Sequence, residues 1–199
     1  MLLLVSGATK TVKRFSGNPH VGQLATPRDR NAIHSPVWAA DNSAFSGFDE
    51  EAFVRMLETL KGTPGCLWVA APDVVGDATE TLALFDVWEP IIRRHGFPVA
   101  LVAQDGLTID ATPWGRMDAI FIGGSTEWKL GTRAFDLMQE ARRRGLWVHV
   151  GRVNTRRRMD AVCGYADSID GSQFSRFPDT HIPWAVRKLE SQHEQSRMF

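Results

Sequence analysis

Short apolar runs alternate with longer amphipathic stretches along this chain. Most of the runs at residues 2–5, 37–40, 67–70, 99–103, 119–122, 147–150 and 168–170 are near-continuously apolar. Strands buried on both faces of a parallel sheet have this pattern. A weaker run at 21–24 is a candidate eighth strand. Helical periodicity lies between the runs. Phe53, Met56, Leu57 and Leu60 recur on one face behind Asp49, which suits an N-cap. Asp77 opens a second helix with Leu84, Phe85, Trp88, Ile91 and Ile92 on one side. Pro90 is expected to kink or interrupt it, and Gly96 to end it before Pro98. A third helix is expected over 132–144, a fourth over 155–163 capped by Asn154, and a C-terminal one over 184–196. The tail at 190–199 is expected to fray. Segment 8–36, rich in turn formers and basic residues, is expected to be irregular.

Strand–helix repetition of this kind gives either a doubly wound sheet or a (β/α)8 barrel. Seven strands plus the weak one favour the barrel, and about 200 residues is its lower size limit. The expectation is α/β: one compact (β/α)8 TIM-type barrel domain over 1–199, with an irregular or incomplete N-terminal unit.

Composition narrows the class. Hydrophobic residues are 43% and charged residues 23% of the chain, as in ordinary soluble globular proteins. No apolar run approaches the roughly 20 residues that span a bilayer. The start, Met1 to Val5, is too short for a signal peptide and lacks a basic head. A cytoplasmic location without membrane contact is expected. Cys66 and Cys163 are too few for a disulfide framework, and no CxxC or HxxxH spacing supplies zinc ligands. No metal and no cofactor is expected. The formal net charge is zero, which argues against a strong non-specific nucleic-acid binder. Yet Arg142, Arg143, Arg144, Arg152, Arg156, Arg157 and Arg158 fall within 17 residues. They read either as a solvated helix face or as a phosphate-tracking patch.

Position gives the polar residues their interest, because functional groups in such folds gather after the C-terminal ends of strands. Asp41-Asn42-Ser43, Pro72-Asp73, Gln104-Asp105-Gly106, Gly123-Gly124-Ser125, Gly151-Arg152 and Asp170-Gly171-Ser172 all follow apolar runs. Each Asp alone reads as a turn or helix cap. Gln104 alone reads as a loop anchor, and Gly123-Gly124 as a tight turn or phosphate loop. Together they place several carboxylates and a glycine pair on one rim, which points to chemistry on a polar substrate. Two carboxylates suit glycosidic chemistry, one as nucleophile and the other as acid and base.

These strand ends resemble the tRNA-guanine transglycosylases and their DNA-modifying relatives, a (β/α)8 family. Asp41-Asn42-Ser43-Ala44-Phe45 looks like the family's Asp-Ser-Gly-Gly-aromatic segment, and Val150-Gly151, a helix and Asp170 follow in the family's order. The resemblance covers roughly residues 36–176. It implies that Asp170 is the nucleophile and Asp41 the acid/base carboxylate. It implies that Phe45 stacks on the base, and that Asp73, Gln104 and the Gly123-Gly124 backbone read its polar edge. Arg152, Arg156, Arg157 and Arg158 become candidate nucleic-acid contacts. The family's tRNA enzymes carry a zinc subdomain after the nucleophile, with three Cys and one His. This chain has no such set, which shifts weight from tRNA to DNA. The implied partners are DNA, with RNA as the alternative, and a free 7-deazaguanine base. Two other classes remain open: a catalytically silent nucleic-acid-binding barrel, and a small-molecule barrel enzyme using Gly123-Gly124 for phosphate.

Overall fold

In the computed structural model, which describes residues 1–7, 9–29 and 32–197 with side chains through Ser191, every apolar run becomes a strand. The strands are β1 (Leu2–Ser6), β2 (Val21–Ala25), β3 (Trp38–Ala40), β4 (Cys66–Ala70), β5 (Val99–Ala103), β6 (Ala119–Ile122), β7 (Trp147–Val150) and β8 (Ser168–Asp170). Each pairs in parallel with the next, and β8 pairs with β1, with Leu4 opposite Asp170. The sheet is a closed eight-stranded parallel barrel, so the expected TIM-type fold stands.

The helices are α1 (Thr9–Phe15), α2 (Glu50–Leu60), α3 (Ala78–Arg94), α4 (Thr126–Lys129), α5 (Thr132–Arg143), α6 (Arg156–Val162), α7 (Ser172–Arg176) and α8 (Pro178–Arg197). Asp49 caps α2 through Ala52 N–H, and Asp77 caps α3 through the N–H groups of Thr79 and Glu80, as their positions lead one to expect. No α-helix among the described residues joins β2 to β3 or β5 to β6. That economy is how eight strands fit into 199 residues.

Strand residues alternate between two cores. Leu4, Leu24, Trp68, Val102 and Phe121 point into the barrel. Ala39, Ala70, Ala100 and Ala119 share that interior and make room for the two large rings. Val5, Val69, Leu101, Ile120, Val148 and Ile169 pack outward beneath the helices.

Several sequence expectations need correction. Segment 8–36 is not irregular throughout, since it holds α1 and β2. Only Val12 of α1 is buried, so its apolar stripe is too thin to show a period. Gly22 and Gln23 interrupt the apolar run of β2. A Cβ at Gly22 would meet Leu4 Cδ2 at 2.7 Å and the Val37 carbonyl at 2.9 Å, so glycine permits the close approach. Gln23 binds the Ala32 carbonyl and the His34 N–H and seals the following loop. Pro90 does not interrupt α3. Its missing N–H frees the carbonyl of Asp86, an exposed residue whose backbone water can satisfy. Thr155, not Asn154, caps α6. The C-terminal helix begins at Pro178, six residues before Trp184, because proline is well suited to a first helical turn. It runs through Arg197, and the end of the expected frayed tail, 198–199, lies outside the described residues. No helix is long and apolar enough to cross a membrane among the described residues.

Candidate active-site cleft

The C-terminal strand ends open into one cleft of about 630 Å³. Asp41, Phe45, Asp73, Gln104, Gly123, Gly124, Arg152 and Asp170 all line it. Arg156, Arg157 and Arg158 do not. Arg156 lies 5.4 Å from the Trp184 ring centroid, and Arg158 donates to the Arg152 carbonyl at 3.3 Å. The structure thus gathers the proposed carboxylates and base-reading residues and leaves three of the four arginines outside. It adds Arg28 and Arg176, which the sequence does not single out, because the first sits in the segment expected to be irregular and the second follows the last expected strand.

Asp41 closes a tight turn. Its Oδ1 accepts the Ser43 N–H at 3.0 Å, and Asn42 Oδ1 accepts the Ala44 N–H at 2.7 Å. The two bonds hold Ser43 at φ 65, a left-handed conformation that a glycine adopts without strain. Ser43 stands where the resembling pattern has its first glycine, and the Asx turns supply what glycine would. Burial pushes Asp41 up to about 7, aided by the charges of Asp170 and Asp73 and opposed by the Ser43 N–H.

Asp73 is gripped on both oxygens. Asn42 Nδ2 reaches Oδ1 at 2.8 Å and Gln104 Nε2 reaches Oδ2 at 2.6 Å. Burial raises its pKa, and these two donors pull it back. Each oxygen keeps a lone pair, so the pair of oxygens can accept two donors from a ligand. Gln104 is mostly internal: its Oε1 accepts the N–H groups of Gly76 and Gly124, both at 2.9 Å. It positions Asp73 and the glycine loop and has one amide N–H left for a ligand.

Gly123 must be glycine on packing grounds, because a Cβ would meet Gln104 Nε2 and Val102 Cγ1 at 2.9 Å. Gly124 has φ +66 and a Cβ there would strike Asp105 Oδ2 at 2.6 Å. Asp105 ties the loop down by accepting the Ser125 N–H at 2.7 Å and its hydroxyl at 2.6 Å. The Gly123 N–H bonds Ala103, the Gly124 N–H bonds Gln104, and the Gly124 carbonyl accepts Arg152. Of this pair's backbone, the Gly123 carbonyl remains for a ligand. Phe45 stands 69% exposed at the mouth with the Arg152 guanidinium 4.5 Å from its centroid. One ring face is thus covered and the other is available for stacking.

Asp170 ends β8 with 13% of its side chain exposed. Its Oδ1 accepts the Arg152 N–H at 2.6 Å and lies 3.7 Å from His149 Nε2. Burial alone would raise its pKa. His149, the Arg152 N–H and Lys129 outweigh burial and hold the carboxyl below the usual value. Lys129 is 1% exposed and donates to the Gly151 carbonyl at 2.7 Å. Burial drives it down to about 7, with Arg152 repulsion adding and Asp170 opposing. Neither His149 nor Lys129 stands out in the sequence as a site residue. His149 carries a signal, a titratable residue inside the run Trp147-Val-His-Val150. Lys129, in a helix of four residues, carries none.

Among the described residues, no group of three or more His, Cys, Asp or Glu could hold a metal ion. Burial pushes the Cys66 thiol up to about 12, which leaves it unreactive.

No family model and no curated protein matches this chain. Among solved structures, it is similar to a putative mandelate racemase from Mesorhizobium loti at 13% identity and TM-score 0.43. That alignment covers 85% of this chain, which spans 50% of the racemase structure's length. A single-substitution mutant of GsuK aligns at 10% identity and TM-score 0.27, over 87% of this chain and 66% of that one. Neither likeness is close enough to carry substrate or chemistry to this chain.

Proposed function

We propose that the protein exchanges bases in nucleic acid, replacing guanine in DNA with a 7-deazaguanine through an Asp170-linked intermediate. One observation carries the reading: two carboxylates in one cleft have ionisation pushed in opposite directions, Asp41 up to about 7 and Asp170 down. Glycosyl transfer by a covalent route needs such a pair, an anionic nucleophile and a protonated acid.

The Asp170 carboxylate attacks the anomeric carbon, and the bond from that carbon to guanine breaks. The departing base takes the bonding electrons and a proton from Asp41. The incoming 7-deazaguanine then gives its ring N–H proton to Asp41 and attacks the same carbon, and Asp170 leaves as a carboxylate. Asp73 accepts the donors on the polar edge of a guanine-type base, the Gly123 carbonyl adds a further acceptor, and Phe45 covers a ring face. A base inside a duplex cannot reach this cleft, so the nucleotide is flipped or single-stranded, at a cost of a few kcal/mol.

The test feeds isotope-labelled guanine and 7-deazaguanine bases to the protein with single-stranded DNA, duplex DNA and RNA. The nucleic acid is then digested and its nucleosides are weighed by mass spectrometry. Label should enter a DNA nucleoside with the parent protein and not with Asp170→Asn, whose circular dichroism should match the parent. Label in RNA alone moves the chemistry to RNA. Near-normal exchange by Asp170→Asn, or no label in any nucleic acid, removes the proposal.

A further inference from the structure

Inside the barrel, beneath the cleft, lies a polar chain that the exchange reaction does not use. Trp147 Nε1 donates to Ser168 Oγ at 2.9 Å, and Ser168 Oγ lies 2.8 Å from His149 Nδ1. An indole nitrogen only donates, so Ser168 Oγ accepts there and has its own proton free for His149 Nδ1. With the Asp170 carboxylate 3.7 Å from the other ring nitrogen, this arrangement favours the imidazole proton on Nε2. The opposite tautomer would aim a lone pair at the Asp170 carboxylate.

His149 is fully buried, and its Nε2 has no hydrogen-bond partner. A buried donor without a partner is costly, so its direction matters. It points at Asp170 Oδ1 from 3.7 Å, just beyond hydrogen-bond length. The ring cannot easily turn away, because Phe121 meets it at 4.5 Å and Trp68 at 4.8 Å between centroids. Burial keeps His149 below its ordinary pKa, so at neutral pH it offers a directed N–H dipole, not a full charge.

We propose that His149 is a positioning residue for Asp170: its Nε2–H, set by Ser168 and Trp147, holds Oδ1 against the barrel interior and leaves Oδ2 to face the substrate. Both protein donors to Asp170, the Arg152 N–H and this imidazole, approach Oδ1. The inference rests on reading Asp170 as the nucleophile. In the covalent ester Oδ1 is the carbonyl oxygen, and when the ester breaks the returning charge meets donors already in place.

The other charged groups facing Asp170 are Lys129 from α4 and Asp41 across the cleft. They stay in place when His149 is changed, so any shift reports His149 itself. The experiment uses the full chain with 15N-labelled histidine and 13C-carboxyl-labelled aspartate, as the parent, His149→Phe, His149→Gln and Ser168→Ala. In the parent, the His149 nitrogen shifts should show protonation at Nε2. In His149→Phe the Asp170 carboxyl should titrate about one unit higher. The acidic limb of exchange should move with it, and kcat measured on that limb should fall about tenfold with KM nearly unchanged. His149→Gln, which can place an amide N–H near the same spot, should recover most of the loss. Ser168→Ala keeps the ring and should scramble the tautomer, which covers a His149→Phe protein that fails to fold. Protonation at Nδ1 in the parent, or an Asp170 titration unmoved in the substituted proteins, overturns the inference. A shifted carboxyl in a protein that exchanges no base supports the coupling and removes only the catalytic reading above it.

Discussion

Asp41 and Asp170 are the same residue type at strand ends that share one cleft, and what separates them is the supply of donors. Asp170 has an imidazole N–H, a backbone N–H and the buried Lys129 amine around it. Asp41 has the Ser43 N–H and two like charges. The folded chain therefore holds the Asp41 proton more tightly than the unfolded chain does. Stability from this site is full below pH 3.8 and is lost as pH rises to about 7. The difference is worth at most roughly 4 kcal/mol, less where water at the cleft mouth screens the charge. Asp41→Asn mimics the protonated form. It should raise the melting temperature by several degrees at pH 8 and leave it nearly unchanged at pH 4, as read by calorimetry. The same substitution should slow exchange about 10²–10⁴-fold. Equal melting temperatures at pH 8 would mean Asp41 is ionised at no cost and is not the acid. In the parent, exchange should decline above about pH 7 as Asp41 loses its proton. Because the two carboxylates interact, the limbs of that profile belong to the pair.

At the scale of elements, the turn after β7 holds the site together. The Gly151 carbonyl receives Lys129, the Arg152 N–H reaches Asp170, and the Arg152 guanidinium spans to the Gly124 carbonyl and the Phe45 ring. A Cβ on Gly151 would drive into the Phe121 ring, closer to Cε2 than real contacts allow and 3.0 Å from Cζ. Phe121 in turn packs on Trp68 and His149. Gly151→Ala should therefore cost about 1–3 kcal/mol in urea unfolding, the usual range for overpacking, and should lower kcat more than KM. Gly164→Ala, where nothing lies within 4 Å, should change stability by less than about 0.5 kcal/mol. Equal effects at the two positions would show that the β7 turn tolerates bulk. These elements also show what is legible in the sequence. The alternation of apolar runs reveals seven strands because a parallel barrel buries both faces of each. The strand-end residues Asp41, Asp73, Gln104, Gly123, Gly124, Arg152 and Asp170 are legible because such ends meet at one rim. The roles of Gln104 and Asp105 are not, since whether an amide or carboxylate faces a ligand or a loop depends on partners about 20 to 30 positions away. Lys129 is hidden for the same reason, because its acceptor is the Gly151 carbonyl.

Over the whole molecule, zero net charge conceals two different ends of the barrel. Arg142, Arg143 and Arg144 close α5 at the bottom, where cations suit the helix dipole. Arg142 reaches the Tyr165 carbonyl and Asp167, while Arg143 and Arg144 share Glu140. Their charge is locally answered. At the top, Arg28 and Arg176 are exposed and flank the cleft that holds the two carboxylates, and Arg28 reaches the Ser46 carbonyl, a neutral acceptor. On the proposed function an anionic substrate approaches the Asp170 carboxylate against its charge, and cations at the rim offset that repulsion. Arg152 is a poor probe of this effect because it also braces Gly124 and Phe45. The clean comparison is between pairs. Arg28→Ala with Arg176→Ala should weaken binding of single-stranded DNA, and the slope of log K against log salt should flatten by about 0.7 for each phosphate left without its arginine. Arg143→Ala with Arg144→Ala should leave both affinity and slope at the parent values. The measurement is fluorescence anisotropy of a labelled oligonucleotide across a salt series. If the bottom pair changes the slope and the top pair does not, the nucleic acid runs along the other end of the barrel and the cleft serves a different substrate.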